Sequence, residues 1–162
     1  YVNPTPFARL RVDTAVMTKN TVGEAPYTPY EGTVCSGYKV GTRTAIPIKG
    51  EYKVARGGTV CIAGDRYGTV CGYTIIQPVA ALQTDGGVYV NTWQATRPGP
   101  CLNSHGDSGS AVYHPMGTAS NGSYAQIAGT LTAGSSTPSK CYLYFTDLRG
   151  LKQVYGGSLT LG

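Results

Sequence analysis

The residues with the clearest chemical potential lie together in His105-Gly106-Asp107-Ser108-Gly109-Ser110. The glycines around Asp107-Ser108 let the backbone pass close to a bound carbonyl and adopt angles closed to other residues. A serine hydroxyl becomes a useful nucleophile only when a neighbouring base takes its proton. The backbone N–H groups of Ser108 and Gly106 are spaced to form a pocket for a developing oxyanion. Together these are the parts of acyl transfer. The same four residues also serve as a polar turn between two strands, so the rest of the chain must decide.

Asp13 is a second candidate. Phe7-Ala8-Arg9-Leu10-Arg11-Val12 alternates like a half-buried strand, and Thr14-Ala15-Val16-Met17 is apolar enough to be buried. An acid wedged between such runs needs a partner, because a lone buried carboxylate is costly. A surface aspartate at a strand end satisfies the same pattern. The sequence has two histidines, His105 in the serine turn and His114. The second follows the short strand Ala111-Val112-Tyr113 and is expected to face solvent.

These residues must be positioned by short strands. From Ala45 onward, strand-like runs recur at 45–48, 59–62, 69–76, 88–93, 111–113, 126–133 and 142–145, joined by Gly, Ser, Thr and Pro turns. Residues 18 to about 45, with Pro26 and Pro29, read as a connection, and Gly134 to Lys140 as a loop. Asp147 can cap a C-terminal helix with Leu148, Leu151 and Tyr155 on one face, ended by Gly156-Gly157. The pattern implies an all-β sandwich or barrel.

The 162 residues suffice for one domain or two small lobes. A net charge of +5 is spread over scattered Lys and Arg, without the basic patch and interleaved aromatics of a nucleic-acid binder. No apolar run is long enough to span a membrane. The first residues, Tyr1-Val2-Asn3-Pro4, look like a processed end, and no signal peptide is visible. Five cysteines, no Cys-x-x-Cys pair and two histidines argue against zinc and for disulfides in an oxidising, extracellular compartment. Cys61 and Cys71 flank one turn and suit a hairpin disulfide. The odd count leaves one cysteine over; Cys35 can be a buried thiol or a bridge to another chain.

Taken together, these residues resemble the secreted bacterial branch of the chymotrypsin-like serine proteases, the streptogrisin and alpha-lytic group. Gly106-Asp107-Ser108-Gly109 is similar to that family's nucleophile turn, and Cys61 and Cys71 to its hairpin disulfide. Cys101 and Cys141 are similar to the pair that frames its specificity pocket. Asp13-Thr14-Ala15 resembles its Asp-x-Ala segment. The resemblance implies a Greek-key β-barrel fold. Residues 1–20 would be the last strands of an N-terminal barrel, 21–44 the inter-barrel connection, and 45–162 the complete C-terminal barrel with its helix.

The resemblance also implies roles. Ser108 would be the nucleophile and Asp13 the residue that orients a histidine. The N–H groups of Gly106 and Ser108 would form the oxyanion hole, and Thr132-Ala133-Gly134 would pair with substrate backbone. Leu131 and Leu143 would line the pocket and favour an apolar side chain, whereas His105 at its rim would favour an acidic one. Leu102 and Asn103 stand where an acid would select Lys or Arg. No cofactor or metal is implied, and the partner is a peptide or protein substrate.

Two departures stand out. The family's catalytic histidine precedes the aspartate, yet no residue before Asp13 is His. The bacterial members often place an Arg after the first hairpin cysteine to pair with the Asp of the serine turn; here Ile62 stands there, leaving Arg66 or a chain terminus for Asp107. Three readings follow. The chain belongs to a serine endopeptidase whose histidine comes from a separate or missing N-terminal segment, joined through Cys35 or non-covalently. It is an inactive homologue that binds through the old cleft. Or it is an unrelated secreted β domain with an adhesive or structural role.

Overall fold

A computed structural model describes residues 33–36, 44–64, 69–84, 87–89, 91–102, 107–119 and 122–156. The strands expected within 1–20 and most of the connection 21–44 lie outside the described residues, as do Asp13, Arg66, Asn103, His105 and Gly106. The elements are β1 (Thr33–Ser36), β2 (Thr44–Glu51), β3 (Thr59–Ala63), β4 (Thr69–Val79), β5 (Leu82–Thr84), β6 (Gly87–Tyr89), β7 (Thr92–Pro98), β8 (Ala111–Met116), β9 (Tyr124–Ser136), β10 (Lys140–Asp147) and α1 (Leu148–Tyr155).

Six strands close into an antiparallel barrel in the order β9-β10-β7-β4-β3-β8, with β8 returning to β9. Closure leaves no open sheet edge around most of the circumference. The interior is filled by alternate residues of each strand, as the two-residue period requires. On β10, Cys141, Leu143 and Phe145 point inward and are fully buried. On β4 the alternation slips: Val70, Tyr73 and Ile75 are all buried. The register explains it. Val60 faces Tyr73 and Ile62 faces Val70, so Cys71 and Gly72 together oppose Cys61. This β-bulge shifts the phase by one residue and keeps both sides of the slip aimed at the core. The Cys61–Cys71 disulfide spans the same point.

A second apolar layer covers one outer face. Cys61, Tyr113, Ala125 and Ile127 pack there against Ile46 and Ile48 of β2, with Leu148 of α1 beside them. The strand β2 runs parallel to β9 over Ile48 to Glu51 and antiparallel to β1 over Thr44 to Pro47. Burying a side chain of this size contributes about 1.5–3 kcal/mol, so the layer fixes β2 firmly to the barrel.

Three expectations need correction. Residues 88–93 are not one strand: Gly87–Tyr89 folds back on Leu82–Thr84, and Thr92 begins a separate strand that reaches Pro98. Asn91 makes the break at φ 54°, a left-handed conformation that asparagine tolerates better than most residues. The loop expected from Gly134 to Lys140 is shorter, because β9 continues to Ser136 and turns through a Thr137 N–H to Lys140 C=O bond of 2.8 Å. Thr33–Ser36, read as part of the connection, forms β1.

The helix forms as its cap residue dictates. Asp147 has extended backbone angles and its Oδ1 accepts the Gly150 N–H at 2.7 Å, satisfying a first-turn donor. Its Oδ2 accepts from the Trp93 indole N–H at 3.3 Å, which ties the helix start to β7. Lys152 reaches Glu51 at 2.6 Å on the surface, so the helix also leans on β2.

Candidate active site

The serine turn is a β-turn in which the Ser110 N–H donates to the Asp107 carbonyl at 3.0 Å. Gly109 occupies its third position at φ 87°, an angle that a side chain would strain. Ser108 is therefore held at the crest of a tight turn, and it is exposed. Two backbone bonds staple this turn to β9. The Gly109 N–H donates to the Leu131 carbonyl at 2.8 Å, and the Leu131 N–H donates to the Ser110 carbonyl at 2.9 Å.

The staple sits where β9 loses a neighbour. On one side β8 pairs with β9 only as far as Thr130. On the other side β10 continues alongside to Ser136. Among the described residues the first edge has no ladder partner beyond Leu131, and that edge begins beside the serine turn. A bulge at Thr132 marks the transition: Tyr144 faces Ala133 and Phe145 faces Leu131, leaving Thr132 as the extra residue. Thr132 is buried, and its hydroxyl meets that of Thr146 at 3.1 Å. Ala133 is half-buried and Gly134 exposed. Leu131 and Leu143 are buried in the barrel cluster.

Asp107 turns inward. It is 2% exposed, and its carboxylate lies against Gly64 at the end of β3, where a Cβ would stand 2.8 Å from Oδ1. The carboxylate thus lies beside the residue that follows β3; Arg66, one partner expected for it, lies outside the described residues. Ile62 is committed to the barrel interior and is 1% exposed. An arginine at that position would have to bury its charge in the apolar core.

Cys101 is bonded to Cys141, joining the segment that leads to Ser108 with the start of β10. Cys101 Sγ lies 3.3 Å from the Ser135 carbonyl oxygen, so the disulfide also touches the far end of β9. Two residues that the sequence did not single out meet it. Tyr73 crosses the barrel interior to bring its hydroxyl 3.6 Å from Cys141 Sγ. Arg97, directly opposite Cys141 in the ladder, brings its charge near the same hydroxyl. Burial pushes the Tyr73 phenol above its ordinary value, the Arg97 charge and hydrogen bond pull it down, and the Asp107 charge pushes it up. The β7 strand that carries Arg97 was hidden by the turn residues Pro98-Gly99-Pro100.

His114 is not a solvent-facing residue beyond β8. It lies within β8, half-buried, stacked on Tyr52 at 4.4 Å between ring centroids. Its Nδ1 lies 2.7 Å from the Thr59 carbonyl oxygen; an oxygen acceptor requires the proton on that nitrogen. Among the described residues no cluster of His, Cys, Asp or Glu is arranged to hold a metal ion, and no helix is long and apolar enough to cross a membrane.

Solved structures similar to this one are bacterial proteases. Protease A of Thermobifida fusca superimposes with a TM-score of 0.56 at 21% identity, over 74% of this chain and 57% of its own. The chymotrypsin of Cellulomonas bogoriensis gives 0.58 at 20% identity, over 80% of this chain and 61% of its own. The fold is that of the chymotrypsin-like serine proteases. The chain spans less than two thirds of the length of either neighbour. No protein-family model matches it, and no curated protein matches it in sequence.

Proposed function

We propose that this chain is part of a secreted serine endopeptidase of the streptogrisin and alpha-lytic type. Ser108, its proton taken by a histidine, attacks the scissile carbonyl; the C–N bond then breaks, the amine leaves with that proton, and the acyl-enzyme remains. The N–H groups of Gly106 and Ser108 receive the oxyanion. Asp13 orients a histidine that lies outside these 162 residues, because His105 immediately precedes the nucleophile turn and His114 is turned to Thr59. Water then releases the acyl group, with the same histidine as base. No cofactor takes part.

The observation that supports this reading most is the staple between the serine turn and β9. It sets an exposed serine beside the start of a strand edge that has no partner among the described residues, and an extended peptide can add to such an edge through main-chain bonds. Thr132 to Gly134 would carry that pairing. The two disulfides suit an oxidising, extracellular site. The test is digestion of a denatured protein by the natural preparation, with the cut sites mapped. Cleavage abolished by Ser108→Ala supports the proposal; cleavage that survives it refutes the nucleophile.

One observation favours a second reading, an inactive homologue that binds through this cleft. Without an imidazole the serine stays protonated, and oxyanion donors with binding alone leave only ~10³–10⁴-fold over water. In that case Ser108→Ala leaves the protein's binding function untouched.

A further inference from the structure

The Cys101–Cys141 disulfide has unlike surroundings at its two ends. It joins the segment that leads into the serine turn to the start of β10. Cys141 is fully buried in the barrel cluster, whereas Cys101 is only half-buried. An external thiol therefore reaches the Cys101 sulfur first. The rate of thiol–disulfide exchange depends on which sulfur is attacked and on how well the other one leaves.

Attack on Cys101 expels Cys141 as a thiolate. A lone anion in an apolar cluster is costly, but here a donor is already in place. The Tyr73 hydroxyl lies 3.6 Å from Cys141 Sγ, and a disulfide sulfur has no proton, so the tyrosine donates. A hydrogen bond to a charged acceptor is stronger than one to a neutral acceptor, so this contact strengthens as the S–S bond breaks. The other sulfur also has a partner. Cys101 Sγ lies 3.3 Å from the Ser135 carbonyl oxygen, which can accept from an S–H but not from a disulfide. Both reduced sulfurs thus meet the group they need without moving.

The Cys61–Cys71 disulfide differs. Cys61 is fully buried in the outer apolar layer, with Cys71 packed against it. Expelling Cys61 would leave a thiolate in apolar surroundings, which disfavour it.

We propose that Cys101–Cys141 is a thiol-reducible switch: an external thiolate attacks Cys101 Sγ, Cys141 leaves as a thiolate held by Tyr73, and the segment leading into the serine turn is released from β10. The reductant's sulfur bonds to Cys101 Sγ as the Cys101–Cys141 bond breaks, and the electron pair of that bond stays on Cys141. A second thiolate attacks the reductant's sulfur in the mixed disulfide and releases Cys101. Two thiols become one disulfide and give two protons to water, and Cys101 takes one back. The chemistry at Cys101 stands apart from the serine endopeptidase reading, whereas its consequence for Ser108 rests on that reading.

The test uses the natural preparation with free thiols blocked by iodoacetamide. Glutathione is added, samples are quenched with N-ethylmaleimide over time, and the cysteine peptides are mapped by mass. Glutathione should appear on Cys101 and maleimide on Cys141, about tenfold faster than any reaction at Cys61–Cys71. Tyr73→Phe, which keeps the buried ring, should slow the reaction about tenfold. A urea midpoint near that of the parent shows that this variant folds, and the attachment site in the parent decides independently of it. Glutathione on Cys141, an equal or faster reaction at Cys61–Cys71, or a Tyr73→Phe rate equal to the parent's overturns the inference. Fluorophosphonate labelling of Ser108 in the same samples reads the consequence. It should slow on reduction and recover when oxidised glutathione restores the bond. Unchanged labelling after full reduction overturns the switch. No labelling even before reduction overturns the protease reading instead, and the peptide map then decides the chemistry at Cys101 alone.

Discussion

The carboxylate of Asp107 lies against Gly64, so close that a Cβ there would stand 2.8 Å from Oδ1 and 3.0 Å from Cγ. The residue before Ser108 is thus seated by the one residue type that leaves room for it. Gly64→Ala should push the carboxylate and the serine turn outward. Overpacking of this kind costs about 1–3 kcal/mol. A urea midpoint lowered accordingly, together with slower covalent labelling of Ser108, is the expected result. An unchanged midpoint would mean that Asp107 is not fixed by this contact.

The two disulfides should contribute unequally. Cys61–Cys71 closes a separation of 10 residues and Cys101–Cys141 one of 40. In the chain-entropy picture, the fourfold longer loop adds about 1.2 kcal/mol to a typical contribution of about 2–4 kcal/mol. Replacing both cysteines of each pair by serine, one pair at a time, and comparing unfolding free energies checks this. The second pair should cost more, and its loss should also release the Ser135 carbonyl that Cys101 Sγ touches.

Asp147 serves the helix and Trp93 at once, and its variants separate the two roles. Asp147→Ala should destabilise by about 1 kcal/mol through the cap alone. It should also strip the Trp93 N–H of its acceptor, and since this is the only tryptophan, its emission should shift. Asp147→Asn keeps an acceptor for Gly150 and should lose less. Equal losses in both variants would contradict the capping role.

Burial raises the Tyr73 phenol above 10.0, whereas in the unfolded chain it ionises near that value. Between the two pH values the folded state holds a proton that the unfolded state has released. Stability is therefore full below about pH 10 and falls as pH rises through the folded value. The urea midpoint should decline above pH 10 in the parent and decline less in Tyr73→Phe. Identical slopes would show that the phenol is not sequestered.

How much of this was legible follows from how local each feature is. The serine turn, the two cysteines of the β3–β4 hairpin and the Asp147 cap are set by neighbouring residues, and the sequence showed them directly. The Cys101–Cys141 pairing came from resemblance, because a bond between distant strands depends on barrel closure. Three things stayed hidden. The bulge at Cys71-Gly72 lets Val70 and Tyr73 share a face, which a simple two-residue alternation forbids. Asn91 splits what looked like one strand, since its left-handed angle leaves only a weak compositional trace. Arg97 meets Tyr73 only because β7 lies between β4 and β10, and no local pattern encodes that neighbourhood.

The central claim is that Ser108 is an activated nucleophile. The most direct measurement is the intact mass of the unreduced natural preparation after exposure to a fluorophosphonate, with Ser108→Ala as control. A stoichiometric adduct on this chain that disappears in the control is the predicted result, and it would place a histidine from elsewhere beside Ser108. An unmodified mass in a preparation that is fully folded would contradict the claim and favour the inactive homologue.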